Sequence, residues 1–461
     1  MRRSWNNDRG ALTLVALCLT AVIGIALGSY IALCYQSLYH STRQFNLNRA
    51  RQLAESGIEE ALWALNNNDW TSGGWGAALD ADGDTLSDDH QNTFTATTVD
   101  SGVTGQVVVK VINFATNSPT IIATATITTP SNGTFTKTLT ATTKTAPFFA
   151  NAIGILNSNS GRVLFSSTSS TVDSWCSDPD GDYNVSSPRV DYTTPTYTLG
   201  TNCSAVIAAP NITLASATLY GYAVTYGNSI STSGSSKIKG PNAPASPNID
   251  TSRIGKSAFV PDFPIAAPTG AYDSTTVHDL SGGSLDLGTP GATSPTYYSV
   301  GSDLTIDNSA TLRINGPVVL KVTGSFQIYR ASTVQVVSTG KLELFVTGDV
   351  YIGGIHGSTA KFQNDTNEAK NLAIYSTSTS SFRKFIYYST ADFCGVMYSA
   401  ATGAKIEFDS GPNFYGAIVA NYNVEFDTSV SFHYDTALRT LPANWFKGMT
   451  TSYLVQQITE S

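Results

Sequence analysis

The chain has 461 residues and a net charge of −8, and charged residues make up only 13% of it. An acidic chain this poor in Lys and Arg excludes a basic nucleic-acid-binding surface, and 41% hydrophobic residues with 10% aromatics exclude a wholly disordered chain. The polar share is Ser, Thr, Asn and Gly, with no charge at all from Tyr192 to Ser236, which suits β-structure and exported surface proteins. In chain order, residues 1–10 form a basic leader, with Arg2, Arg3 and Arg9 against Asp8. Ala11 to Tyr35 is apolar, and no charged residue occurs from Gly10 to Thr42. As a helix this run spans about 37 Å at 1.5 Å per residue. A bilayer core is about 30 Å thick, so the run can cross it, and it is too long for the apolar part of a secretory signal. The leader places the amino terminus in the cytoplasm and the body on the exported side. Leu47, Ala50, Ala54, Ile58, Ala61 and Leu65 then recur at three- and four-residue spacing, so the helix continues with one apolar face until Asn66, Asn67 and Asn68 stop it. Residues 11–66 thus read as one transmembrane and amphipathic helix.

The leader ending in Arg9-Gly10, the apolar helix from Ala11 and the downstream run Arg51-Gln-Leu-Ala-Glu-Ser-Gly-Ile-Glu-Glu-Ala-Leu62 carry a resemblance. This amino terminus resembles that of type IV pilins and pseudopilins, most closely the PilX-type minor pilins. The resemblance implies that a prepilin-type peptidase cuts after Gly10 and that Ala11 becomes the methylated first residue. It implies that the helix then leaves the lipid bilayer to pack among other pilins or pseudopilins. Major pilins carry Glu at the fifth mature position; here that residue is Val15, which points to a minor, tip or accessory role.

Residues 67–149 read as a small antiparallel β-domain. Gln106–Val111 and Thr120–Ile127 alternate apolar and polar residues, and Asn117-Ser-Pro119 and Pro130-Ser-Asn-Gly133 supply turns. From 150 to 440 the chain repeats itself. Val318–Ile328 matches Leu342–Ile352, Asp392–Ser399 is echoed by Asn413–Ala420, Ile406–Asp409 by Val424–Asp427, and Ala205–Leu214 aligns with Ala417–Phe426. Repeats of about 18–24 residues built from short alternating strands predict a β-helix, a solenoid with alternate apolar residues inward. Val172-Asp-Ser-Trp175, Gly181-Asp-Tyr183, Gly416-Ala-Ile-Val-Ala420 and Ser431-Phe-His-Tyr-Asp-Thr-Ala-Leu438 also resemble a poorly characterised bacterial β-helical domain often joined to PilX-type amino termini. Residues 441–461 read as a C-terminal tail. The expected fold class is mainly β: a long N-terminal membrane-spanning helix, a small β-domain, then the solenoid.

Candidate chemistry is thin. Asp80, Asp82 and Asp84, with Asp88 nearby, and Asp178, Asp180 and Asp182 form two Asp-x-Asp-Gly-Asp loops. Alternate carboxylates in a tight turn either converge on Ca²⁺ or stay as solvated acidic turns. Position six is Thr85 or Tyr183 and position twelve is Gln91 or Arg189, against the Gly and Glu of an EF-hand loop. Cys18 and Cys34 lie in the span and Cys394 in a strand. Cys176 and Cys203 lie in exported, loop-like sequence and either pair as a disulfide or remain two thiols. No GxSxG, HExxH or Cys-plus-His cluster occurs, His433 reads as structural, and Asp349, Arg330, Lys341 and Lys361 have no diagnostic spacing, so no enzyme is expected. The expected function is a membrane-anchored, exported structural component of a type IV pilus or type II secretion system in the bacterial inner membrane, its body exported and carried to the pilus or cell surface. The alternative is a permanently anchored adhesin that binds surface carbohydrate through its Tyr-rich faces.

Overall fold

The computed structural model describes residues 6–460 apart from 68, 72, 101, 115, 117, 131–132, 157–159, 168, 176, 178–203, 227–228, 241–247, 258–264, 355–358, 442–444 and 448–451. The described chain is mainly β, with one long apolar N-terminal helix and several sheets. It divides into two units, residues 1–145 with 453–461, and residues 146–452.

In the first unit the helix runs unbroken over Asn6–Asn67, so it begins before the apolar run does. Its two halves meet different surroundings. Leu12, Leu17 and Ile25 are more than 70% exposed, whereas Ala50, Ala54, Ile58, Ala61 and Leu65 are buried. The buried stripe lies on the strands Val103–Ile112 and Thr120–Thr129, whose inward Val107, Val109, Ala123 and Ala125 form the other side of the core. Gly57 lies at the closest approach. A Cβ there would fall 2.8 Å from Val109 Cγ2 and 3.0 Å from Val107 Cγ2, so a larger residue would push the helix off the sheet.

That sheet has five strands, and the fifth is Ser452–Glu460, beside Gly133–Ala146. The segment expected as a tail over 441–461 is therefore not a tail. Tyr453 is buried in the helix–sheet core, its N–H donates to Asn66 Oδ1 (2.5 Å), and Lys137 Nζ reaches Glu460 Oε1 at 2.5 Å. A single strand at a chain end carries no turn or repeat to announce its partner, which is why its pattern did not stand out.

In the second unit nearly all pairing is parallel. Thr296–Val300, Pro317–Val322, Lys341–Val346, Leu372–Ser376, Phe393–Ser399 and Asn413–Ala420 stack in that order in a 13-stranded sheet. Leu304–Asp307, Phe326–Ile328, Val350–Ile352, Phe385–Tyr387, Lys405–Phe408 and Asn423–Phe426 do so in a 10-stranded sheet, and Thr311–Ile314, Thr333–Val336 and Lys361–Asn364 in a four-stranded one. The repeats pair with one another: Val318 faces Leu342, Phe326 faces Val350, and Ile406 faces Val424. One step is longer than the repeat predicts. Leu342 faces Leu372, because the connections before and after Lys361–Asn364 are longer than their counterparts around Thr333–Val336, the second of them holding a 3₁₀ turn at Ala369–Asn371. Inside, equivalent positions stack aromatic rings, with Phe393–Phe414–Phe432 at 5.0 and 4.6 Å and Phe408–Phe426–Phe165 at 4.9 and 4.5 Å between centroids.

Strand order does not follow chain order. Asn423–Phe426 pairs with Arg162–Phe165, and Ser431–Asp435 with Thr171–Trp175, from a much earlier part of the chain. The described strands between Ile153 and Lys256 therefore extend both large sheets beyond the last repeat. Ile254–Lys256 pairs beyond the junction, Leu280–Ser281 is at the other end of the 10-stranded sheet, and the strands after it return in order to the junction. Alternation inward holds for Thr311–Ile314 and Thr333–Val336 but not for Leu372–Ser376 and Phe393–Ser399, which are buried on both faces. Phe148, Phe149, Trp445 and Phe446 lie over this part of the sheet, with Phe446 5.5 Å from Phe149 and 6.5 Å from Tyr375.

Because the second unit has its own core, residues 146–452 expressed alone will fold. Circular dichroism will show β-structure with little helix; a helical or unfolded spectrum would contradict this separation.

Candidate functional site

Gly10 and Ala11 lie in the first turns of the long helix, and Met1 to Trp5 lie outside the described residues. No residue from Leu12 to Tyr35 of the apolar run is buried. Cys18 and Cys34 are exposed on it, and Cys394 is a buried thiol in the second unit. Cys176, Cys203 and the loop of Asp178, Asp180 and Asp182 lie outside the described residues.

The first acidic loop is closed at its base by two backbone bonds, Leu79 N–H to Asp89 O (2.9 Å) and Asp89 N–H to Leu79 O (3.0 Å). Within it, Asp80 accepts from Gly83 N–H (2.6 Å) and Thr85 N–H (3.0 Å), Asp82 from Asp84 N–H (3.1 Å), and Asp84 from Leu86 N–H (2.8 Å). Gly83 and Thr85 hold positive φ of 87° and 77°, a conformation that brings these amides to the carboxylates. Carboxylate oxygens of Asp80, Asp82 and Asp89 lie within 4.8 Å of one another. This is not the predicted set. Asp84 and Asp88 stand apart from it, and the fully buried Asp89 takes their place. Asp89 accepts from Ala81 N–H (2.6 Å), Asp82 N–H (3.1 Å) and Asn113 N–H (2.9 Å) and so fixes the loop to the sheet. Burial, with Asp84 and Asp89 beside it, holds the Asp88 carboxyl above its ordinary range. Hard oxygen donors at this spacing fit Ca²⁺. Asp89 carried one sequence signal, a second carboxylate directly after Asp88, but nothing showed that its backbone closes the loop.

The remaining candidates divide. Asp349, Arg330, Lys341 and Lys361 form no patch: Lys341 belongs to the 13-stranded sheet and Lys361 to the four-stranded one. Arg330 is 3.4 Å from Asp307, while Asp349 pairs with Arg383 at 3.9 Å. His278 and Asp279 engage backbone groups, at Thr276 O and Thr305 N–H. His433 is buried at the junction of the two chain segments, its Nδ1 2.5 Å from Asp173 Oδ1 and its ring 4.9 Å from Tyr415. Two residues on, the fully buried Asp435 accepts from Ser177 N–H (3.0 Å), Ser177 O–H (2.6 Å) and Ala437 N–H (3.1 Å). Tyr434 O–H donates to Phe149 O (2.8 Å), and Arg162 bonds Glu425 through Nη2 (2.6 Å) and Nε (3.1 Å). The two sequence stretches around Val172 and Phe432 are thus partners, and their polar residues set the register of the junction.

A family model described as a domain of unknown function, DUF7305, matches residues 262–441. The match ends just past the junction strand and omits the strands Arg162–Phe165 and Thr171–Trp175 that pair across it. No curated protein matches the chain. Among solved structures, the competence-associated pilin ComZ from Thermus thermophilus aligns over 90% of this chain and 97% of that chain, at 11% identity and a TM-score of 0.26. A likeness at that score bears on neither the fold nor the function of this chain.

If Asp80, Asp82 and Asp89 hold Ca²⁺, millimolar Ca²⁺ will raise the melting temperature of the full chain in detergent. It will also slow hydrogen exchange across residues 80–90, with a gain of about 2.7 kcal/mol at a hundredfold excess over Kd. Asp82→Asn keeps an acceptor for Asp84 N–H and will remove most of the effect; Mg²⁺ will do less. At the junction, Asp435→Ala leaves the buried donors of Ser177 and Ala437 without an acceptor. It will cost about 3 kcal/mol in urea unfolding of the full chain, far more than a surface Asp→Ala.

Proposed function

We propose that the chain is a membrane-anchored, exported structural protein, a minor pilin-like or pseudopilin-like component of a type IV pilus or type II secretion system. One observation carries this reading. The long helix is a single rod whose first half has no protein around it, while its second half is docked on a sheet. A docked half fixes the direction of the rod, so the bare half is presented to a lipid bilayer or to identical helices, between which it can exchange without exposing apolar surface to water. In this reading a prepilin-type peptidase cuts between Gly10 and Ala11, the partners are other pilins or pseudopilins, and the protein starts as a single-pass inner-membrane protein with its body exported. The body is a β-helix, a reading supported by its parallel stacked strands and by aromatic columns at equivalent positions. It serves as a displayed scaffold, without enzymatic chemistry of its own, for contact with surface carbohydrate. Calcium at the acidic loop would stiffen the small domain beside the rod.

Processing is the test. Mass spectrometry of the protein from its native membrane will show a chain lacking Met1 to Gly10, and Gly10→Leu will keep the full mass. Full mass in both would remove the pilin reading and leave a permanently anchored adhesin.

A further inference from the structure

The outer face of the 10-stranded sheet holds an open cavity of about 330 Å³ at the corner where its strands begin. One wall is the loop between Leu372–Ser376 and Phe385–Tyr387. Three contacts pin that loop. Thr402 O–H donates to Thr379 O (3.0 Å), and Lys384 N–H donates to Asp349 Oδ1 (2.9 Å). Gly403 lets the chain close over it, since a Cβ there would lie 2.6 Å from Ser381 Cβ. The pinned loop presents Phe382 at 86% exposure, more than any other large apolar side chain among the described residues, the bare helix included. An aromatic ring fixed in water costs free energy unless something covers it. Ile386 and Tyr422 continue the apolar surface into the cavity.

The polar groups come from the ends of paired strands and are equally fixed. Glu407 and Asn423 stand on adjacent strands, and Asn423 Oδ1 accepts from Arg162 N–H (3.0 Å), which leaves its Nδ2 to donate to a ligand. Lys405 is engaged by Glu407 (2.5 Å) and Glu425 (2.7 Å). Lys384 is exposed and makes no ion pair among the described residues. Lys405 is thereby neutralised, with Asp427 also at 3.9 Å, and Lys384 is the cation of the walls that remains to meet a charge on a ligand. A ligand fitting these walls has a flat apolar face for Phe382, hydroxyls for Glu407 and Asn423, and a negative charge for Lys384. A fatty chain would satisfy only the first of these.

We propose that this cavity binds a uronic-acid residue of an acidic polysaccharide, the ring packed on Phe382 and the carboxylate paired with Lys384. The inference deepens the carbohydrate contact of the preceding section and rests on the body being displayed outside the cell. Binding in solution reads the cavity alone, so it fails or succeeds independently of processing at Gly10.

The test is calorimetric titration of the full chain in detergent with trigalacturonate, an alginate trimer and a hyaluronan tetramer, and with neutral maltotriose and triglutamate beside them. At least one uronate oligomer will bind saturably. Phe382→Ala will weaken it about tenfold or more, and Lys384→Gln will weaken it while leaving maltotriose unchanged. Both side chains are exposed, so unchanged thermal unfolding will show that the variants fold. No saturable uronate binding below about 10 mM, affinity indifferent to Phe382→Ala, or triglutamate binding as tightly through the same two residues would overturn the proposal.

Discussion

Parallel, in-register backbone pairing across the junction is the constraint on which the second unit depends. Each parallel strand leaves a row of N–H and C=O groups that only a neighbouring strand can satisfy. From Leu280 to Phe426 that partner is mostly the neighbouring repeat along the chain. At the junction it lies more than half the chain away, as the separation of 260 between Asp173 and His433 shows. Closing so long a loop costs about 2 kcal/mol more than closing a single repeat. Aromatic columns that run through the junction, such as Phe408–Phe426–Phe165, offset that cost. Polar pairs on the same strands, Arg162 with Glu425 and His433 with Asp173, reward one register and no other.

This closure decides which surfaces remain free. The segment that follows the junction crosses the 13-stranded sheet, and its Trp445 donates through Nε1 to Lys370 O (3.0 Å). Beneath it, charges are buried as neutral pairs: Lys341 with Glu343 (3.1 Å) and Lys370 with Glu368 (3.5 Å), under the Trp445 ring. Buried ion pairs of this kind specify an arrangement more than they stabilise it. The 10-stranded sheet keeps polar, half-exposed residues on its outer face, as Lys405, Glu407, Tyr351 and Tyr388 show. A repeated backbone thus offers one covered wall for stability and one open wall for recognition.

The first unit solves a different problem, how to hold a bare apolar rod on a folded base. Small residues do it. Ala50, Ala54, Gly57 and Ala61 let the helix backbone approach the sheet closely, and the last strand of the chain completes that sheet. Asp89 extends the same order outward, its buried carboxylate binding the acidic loop to Asn113 at the end of the strand Val103–Ile112.

By itself, the sequence determined much of what depends on neighbours along the chain. The helix length, its apolar and amphipathic halves, the alternating strands and the pairing of adjacent repeats were legible because a helical period, a strand period and a fixed repeat are local patterns. Even the distant match of Ala205–Leu214 with Ala417–Phe426 was legible: Asn211 and Asn423 both face Arg162, on its two sides. Tertiary structure alone decided what was not local. It brought Asp173 to His433, put Asp89 rather than Asp84 and Asp88 among the convergent carboxylates, returned residues 452–460 to the N-terminal sheet, and left Phe382 bare beside Lys384. Strand pairing is specified by backbone groups that every residue carries. A pattern can therefore announce a strand, but its partner is chosen only when the folded chain brings complementary side chains to the same edge.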